Sequence, residues 1–256
     1  MEQFKREQET RFKVTEEVCS EPPTARTGAS LTAHPISHNE LILFGGEFFN
    51  GQKCVFYNDL YRYNHDKNEW RRITSPNSPG PRSSHQAVAT PTGKLFLFGG
   101  EFASANETQF FHYKDFWLLD LRTNQWERLD HKLKPHPRSG HRMILWKHFL
   151  ILFGGFYDTF RETKYFDDLW IFDINENKWI KIEPFPPMLP KPSARSAFQM
   201  FVHNDILYIY GGYTKITAQG QKTKGFVHTD MWTMKLSPDL KNMHWERKKR
   251  YALSPS

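Results

Sequence analysis

Four times along the chain a run of apolar and aromatic residues closes on paired glycines: LILFGG at 41–46, LFLFGG at 95–100, FLILFGG at 149–155 and LYIYGG at 207–212. The second glycines, at 46, 100, 155 and 212, are 54, 55 and 57 residues apart, an interval regular enough to define a repeat. The rest of each period recurs with it. An arginine leads each unit (Arg26, Arg82, Arg138, Arg195), an aspartate opens a later segment (Asp59, Asp115, Asp168, Asp230), and a tryptophan opens the last one (Trp70, Trp126, Trp179, Trp245). Between these markers apolar and polar positions alternate in short stretches, the signature of half-buried strands, and turns rich in Gly, Pro, Asn and His separate them. In the first repeat the pattern predicts strands over 29–33, 40–44, 59–64 and 69–74. Each period is therefore expected to form four antiparallel strands, with repeats at about 26–74, 82–130, 138–182 and 195–247.

The fourth repeat is stretched, its Asp-to-Trp interval being 15 residues against 11 in the others, and Ser237-Pro238-Asp239 is the expected insertion. The linkers carry prolines (Pro76, Pro79 and Pro81; Pro135 and Pro137; Pro184, Pro186, Pro187, Pro190 and Pro192), which suit extended connections that cannot join a sheet. Ahead of the first repeat, residues 1–11 read as the end of a polar helix. Residues 12–18 alternate like an exposed strand and have no partner in their own neighbourhood.

A twisted four-stranded sheet is marginal alone and gains stability when its apolar face stacks on the next, so the expected fold is all-β and built by repetition. The glycine pairs are expected where the chain needs φ values closed to other residues and where neighbouring sheets approach closely. Tyr61, Trp117, Trp170 and Trp232 share one position of the third strand; with the four tryptophans that open the fourth strand they are expected to fill the wedge between sheets.

Composition narrows the function classes. The 256 residues, 38% hydrophobic and 16% aromatic, suffice for one extended domain. Cys19 and Cys54 cannot make a disulfide framework and sit in no Cys/His cluster, so they are expected to be free thiols. The amino terminus is charged where a signal peptide needs an apolar stretch, which leads to the expectation of a cytoplasmic or nuclear protein. The net charge of +7 is local: nine of the 35 basic groups but only three of the 28 acidic ones lie beyond residue 212. Such a run is usually a solvated tail, and it keeps nucleic-acid binding as a second hypothesis.

The apolar run, the Gly-Gly pair, the aromatic residue after Asp-Leu and the following Trp resemble the kelch repeat, whose blades form β-propellers, over about 26–245. The resemblance implies four recognisable four-stranded blades. Because such propellers close with about six, it also implies an incomplete ring, with residues 1–25 supplying a strand that closes it. In kelch relatives that bind peptides, arginines at the leading position contact acidic or carboxy-terminal segments.

Alternating strand direction places the connection from the second to the third strand on the same side as the linker to the next repeat. That side receives the long segments 47–58, 101–114, 156–167 and 213–229, expected to be irregular loops, and is the expected binding face. Arg26, Arg82, Arg138 and Arg195 should circle the mouth of a central channel, where planar, permanently charged forks suit carboxylates. The alternative is that each arginine pairs with an aspartate or a carbonyl and locks neighbouring blades. Ser83, Ser139 and Ser196 follow three of the arginines and could donate to the same ligand. The long segments hold more aromatics than solvated loops need, among them Phe48, Phe56, Phe110, Phe111, Phe160 and Tyr165. Most are expected to pack, with Phe49, Phe102, Phe156 and Tyr157 as contact residues.

No catalytic motif is present: there is no G-x-S-x-G, H-E-x-x-H or P-loop, and His85 and His141 align with Ala29 and Phe198 and so form no metal set. Neither metal nor cofactor is expected. The leading expectation is a protein-interaction module that takes an acidic or carboxy-terminal peptide of a partner protein and self-associates if its ring is open. Nucleic-acid binding through the basic end comes second, and a propeller enzyme third.

Overall fold

A computed structural model describes residues 13–104, 110–159, 163–183, 189–216 and 223–248. The expected helix end at 1–11, Phe160, the prolines at 184, 186 and 187, and the basic residues Lys222, Lys249 and Arg250 lie outside the described residues. The chain divides into two compact units, residues 1–132 with 136–139, and residues 133–135 with 140–256.

In the first unit, sheet 1 is built from Ser30–Ala33, Glu40–Phe44, Leu60–Asn64 and Glu69–Thr74, and sheet 2 from Gln86–Thr90, Lys94–Phe98, Phe116–Asp120 and Gln125–Leu129. The second unit repeats the plan. Sheet 3 holds Arg142–Trp146, Phe149–Phe153, Leu169–Asp173 and Lys178–Ile182, and sheet 4 holds Gln199–His203, Ile206–Tyr210, Met231–Lys235 and Trp245–Lys248. All neighbours are antiparallel and in chain order, so each sheet is a meander. The predicted strands 40–44 and 69–74 are found at those bounds, and the other two begin one residue later than expected.

Alternation along the strands decides the packing. In Glu40–Phe44, Ile42 and Phe44 point to one face and meet Leu95, Leu97, Leu119 and Trp126 of sheet 2. In the second unit Phe149, Ile151 and Phe153 of sheet 3 meet Met200, Ile209, Trp232 and Trp245 of sheet 4. Each such buried Ile, Leu or Phe contributes about 1.5–3 kcal/mol, which is why the sheets stack instead of standing alone. The glycine pairs permit the close approach: Gly154 has φ +69°, and a Cβ there would lie 2.7 Å from the Arg195 carbonyl oxygen. Turns between third and fourth strands place Asn68, Asn124 and Asn177 in the left-handed region, a conformation asparagine tolerates.

Two expectations are corrected. The strand near the amino terminus is not an orphan: Thr15–Val18 pairs antiparallel with Glu69–Thr74 and becomes the fifth, outermost strand of sheet 1. Arg71 ties it in sideways through Glu16 at 2.9 Å. The long segments after the glycines are not irregular either. Each forms a small hairpin: Glu47–Phe49 with Cys54–Phe56, Glu101–Ala103 with Phe110–His112, Phe156–Asp158 with Thr163–Tyr165, and Tyr213–Ile216 with Lys224–Val227.

Candidate functional site

The leading arginines do not line an open mouth. Arg82, Arg138 and Arg195 are 0% exposed, and the Arg26 side chain is 5% exposed. Arg82 donates to both carboxylate oxygens of Asp115, at 2.7 and 2.9 Å, and also to the carbonyls of Gly80 and Gly99. Arg195 treats Asp230 the same way, at 2.7 and 3.3 Å, and adds the Gly211 carbonyl and Ser193. Arg26 lies 3.6 Å from Asp59, with its guanidinium 4.0 Å above the Tyr57 ring. The aspartates are shared with the third strand's indole: Trp117 Nε1 donates to Asp115 and Trp232 Nε1 to Asp230, both at 2.7 Å. Burial pushes the Asp230 carboxyl up, but the bonds from Arg195 and Trp232 outweigh it and bring the pKa down to about 2. Asp115 moves in the same direction under the same balance of burial against Arg82 and Trp117.

While the side chains of Arg82 and Arg195 serve their own sheets, their backbones belong to the sheet before. Gly46 N–H donates to the Arg82 carbonyl at 2.8 Å, and Arg82 N–H donates to the Tyr57 carbonyl at 3.0 Å. Gly155 and Phe166 hold Arg195 alike, and Gly100 and Tyr113 hold Arg138. One residue thus latches two sheets, which is the alternative weighed above. A buried guanidinium requires a carboxylate and carbonyls around it, and the repeat supplies one aspartate for each arginine. Arg82 and Arg195 thus spend their guanidinium groups on Asp115 and Asp230 and present none at a surface.

The serines are buried as well. Ser83 is fully buried, its backbone paired to Glu101 and its hydroxyl without a hydrogen-bond partner among the described residues; Ser139 Oγ lies 2.7 Å from His112 Nδ1; Ser196 donates to the Tyr213 carbonyl at 3.4 Å. His85, at the next position but one after Ser83, is buried with Nε2 2.9 Å from Ser30 Oγ. Burial and the nearby Arg82 lower its pKa to about 3, so it is neutral. Among the described residues no three His, Cys, Asp or Glu side chains are grouped to hold a metal ion.

Accessible chemistry lies instead on the hairpins. In the first unit, strand register puts Phe49 and Phe56 on one face of the first hairpin, and Phe102 and Phe111 on one face of the second. These two faces oppose each other: Phe56 and Phe102 have ring centroids 5.5 Å apart, as do Phe102 and Phe111, and Phe111 meets Tyr113 at 5.0 Å. Phe111, 42% exposed, and Phe49, 64% exposed on the hairpin face that carries Phe56, are the accessible members of this aromatic patch. Glu47 lies beside it and accepts from the Cys54 thiol, whose pKa burial and Glu47 push up to about 11. In the second unit Phe156 and Tyr157 are half-buried, Phe156 packing on Tyr165 at 5.8 Å and Tyr157 standing opposite Lys164. Of the expected contact residues, Phe102 lies in this patch, and Phe49 shares the hairpin face of Phe56, which meets Phe102. Phe56 and Phe111 complete the patch, and only the hairpin register reveals it.

Residues 28–256 match the KLHDC2/KLHL20/DRC7 Kelch-repeats domain. The chain is 25% identical over 237 residues to the dynein alpha chain of the flagellar outer arm of Chlamydomonas reinhardtii, covering 88% of this chain and 5% of that one. It is 26% identical over 240 residues to human Kelch domain-containing protein 3, covering 90% of this chain and 59% of that protein. With mouse Kelch domain-containing protein 1 it shares 33% identity over 156 residues, 59% of this chain and 36% of that protein. The chain therefore spans less than two thirds of these relatives. The solved structure of YjhT superimposes with a TM-score of 0.68 at 17% identity, covering 92% of this chain and 74% of that one.

Proposed function

From the fact that this chain belongs to the KLHDC2/KLHL20/DRC7 kelch-repeat family, we infer that it acts as a protein-interaction module that seats an extended segment of a partner protein on its hairpins. The single observation that supports this reading is the aromatic patch where the first two hairpins meet, packed at Phe56 and Phe102 and accessible at Phe111 and, on the same hairpin face as Phe56, at Phe49. Exposed aromatic rings on a rigid support are the usual anchors of protein interfaces. The partner segment on this reading is apolar or aromatic at its anchor positions. The acidic or carboxy-terminal preference rested on arginines of which Arg82, Arg138 and Arg195 are buried, and Glu47 on the hairpin face of Phe49 and Phe56 opposes it. Within the family, the GGEF at 45–48 and 99–102 and the YKDFW at 113–117 resemble Kelch domain-containing protein 4, a finer kinship that belongs to this proposal.

Selection of displayed random peptides on the purified chain tests the reading. Peptides with apolar or aromatic anchors are expected to be enriched, and Phe49→Ser combined with Phe111→Ser is expected to weaken their binding at least tenfold with an unchanged far-UV spectrum. Equal binding to the double variant would overturn the proposal, as would enrichment of peptides defined by acidic residues alone.

A further inference from the structure

Within each unit the two sheets meet with one polarity. The trailing face of the first sheet receives the leading face of the second, which carries the two repeated tryptophan positions. Ile42 and Phe44 receive Trp126 in the first unit, and Ile151 and Phe153 receive Trp232 and Trp245 in the second. Two further faces of the same kind are exposed. On the leading face of sheet 1, Tyr61, Tyr63 and Trp70 cluster with centroids 6.2 and 4.7 Å from the Trp70 ring, and all three are only half-buried. Leu31 beside them occupies the repeat position of Met200, yet Leu31 is 60% exposed and Met200 9%. On the trailing face of sheet 4, Tyr208 and Tyr210 stand where sheet 3 has Ile151 and Phe153. Phe201 stacks on Tyr208 at 4.8 Å and 7°, and Phe201 and Tyr210 are each 48% exposed.

We propose that these two faces bind each other between copies of this chain, the trailing face of sheet 4 in one copy seating the leading face of sheet 1 in the next. The occupant follows from repeat position. Trp70 stands where Trp126 and Trp245 stand, and Tyr61 where Trp117 and Trp232 stand, so sheet 1 presents the groups that a trailing face already accepts twice inside the molecule. A second copy supplies that face with no new chemistry. The contact is heterologous, so each copy offers one face of each kind and assembly propagates unless it closes. Four strands about 4.8 Å apart and about five residues long give a projected footprint of about 320 Å². That is smaller than the ~800 Å² per partner of stable complexes, and the tyrosines make the sheet 4 face more polar than its counterparts, so association is concentration-dependent and not obligate.

Sedimentation velocity on the 256-residue chain, from about 1 to 300 µM, reads the mass directly. The weight-average mass is expected to rise above 30.4 kDa with concentration. Leu31→Glu and Tyr210→Glu, both at exposed positions, should each hold the protein at monomer mass with an unchanged far-UV spectrum. An equimolar mixture of the two variants should form a dimer and nothing larger, because one intact face survives on each. A monomer at every concentration, assembly that neither substitution reduces, or a mixture that stays monomeric would each overturn the proposal.

Discussion

Replacing Asp115 by alanine strands the Arg82 guanidinium in a site with no access to water. Arg82 is 0% exposed, Asp115 takes two of its hydrogen bonds at 2.7 and 2.9 Å, and the Gly80 and Gly99 carbonyls that also accept from it are neutral. Removing one partner of a buried ion pair costs about 3–5 kcal/mol, and the Trp117 indole N–H, which also loses its acceptor, adds about 1 kcal/mol. Asp59→Ala is the internal comparison. Arg26 is 3.6 Å from Asp59 and leans on Tyr57, while the other oxygen of Asp59 serves the half-exposed Arg72, so a smaller loss than for Asp115→Ala is expected there. Equilibrium urea denaturation followed by tryptophan fluorescence measures both, with the first transition compared if the two units unfold separately. Arg82→Met joined to Asp115→Leu should recover part of the loss, since an apolar pair of similar volume needs no counter-charge. A loss below about 1 kcal/mol for Asp115→Ala, or a double variant no better than the single one, would refute the claim that the latch holds a charge away from water.

Ala197 has φ +54° at the position where repeats one and three carry Gly28 and Gly140, so Ala197→Gly should raise stability by about 0.5–1 kcal/mol in the same urea assay; no gain would show that the surroundings favour the methyl group. His85, with its folded pKa lowered to about 3 against an ordinary 6.5, stays neutral in the native state while the unfolded chain takes up a proton. Stability from this group therefore falls as pH drops from about 6.5 towards 3. His85→Phe, the residue found at the equivalent Phe198, should lose less stability than the parent between pH 7 and 4, and identical pH dependence would contradict the burial argument.

How much was legible in the chain depends on the range over which each feature is decided. The strand 40–44 could be read to the residue because ELILF sits between a turn and a glycine pair, and its alternation is completed inside the strand. The hairpins could not. Strands of three residues such as Glu47–Phe49 are too short to show a period, and aromatics on both faces of the first one erase the contrast that marks a half-buried strand. The arginines are legible in sequence, but a charge pattern does not say which way a side chain turns, and Arg82, Arg138 and Arg195 turn inward. The usable signal was the recurrence of one aspartate with each arginine, as in the pairs Arg82 with Asp115 and Arg195 with Asp230. The partner of Thr15–Val18 lies on the far side of a whole repeat, beyond any local pattern.

That last pairing bears on the order of synthesis. Glu16 and Arg71 meet across 55 residues, and Thr15–Val18 leaves the ribosome before any other strand among the described residues. At about 5–20 residues per second it waits roughly 3–11 s for Glu69–Thr74 to emerge. The delay works in the chain's favour, because the outer edge of sheet 1 meets its covering strand at the moment it forms. Among the described residues the outer strands Gln125–Leu129, Lys178–Ile182 and Trp245–Lys248 carry no fifth strand. Of the four described sheets, the first to be completed is thus the one whose edge is closed to strands of neighbouring polypeptides, at the stage when crowding on a polysome makes such pairing most frequent.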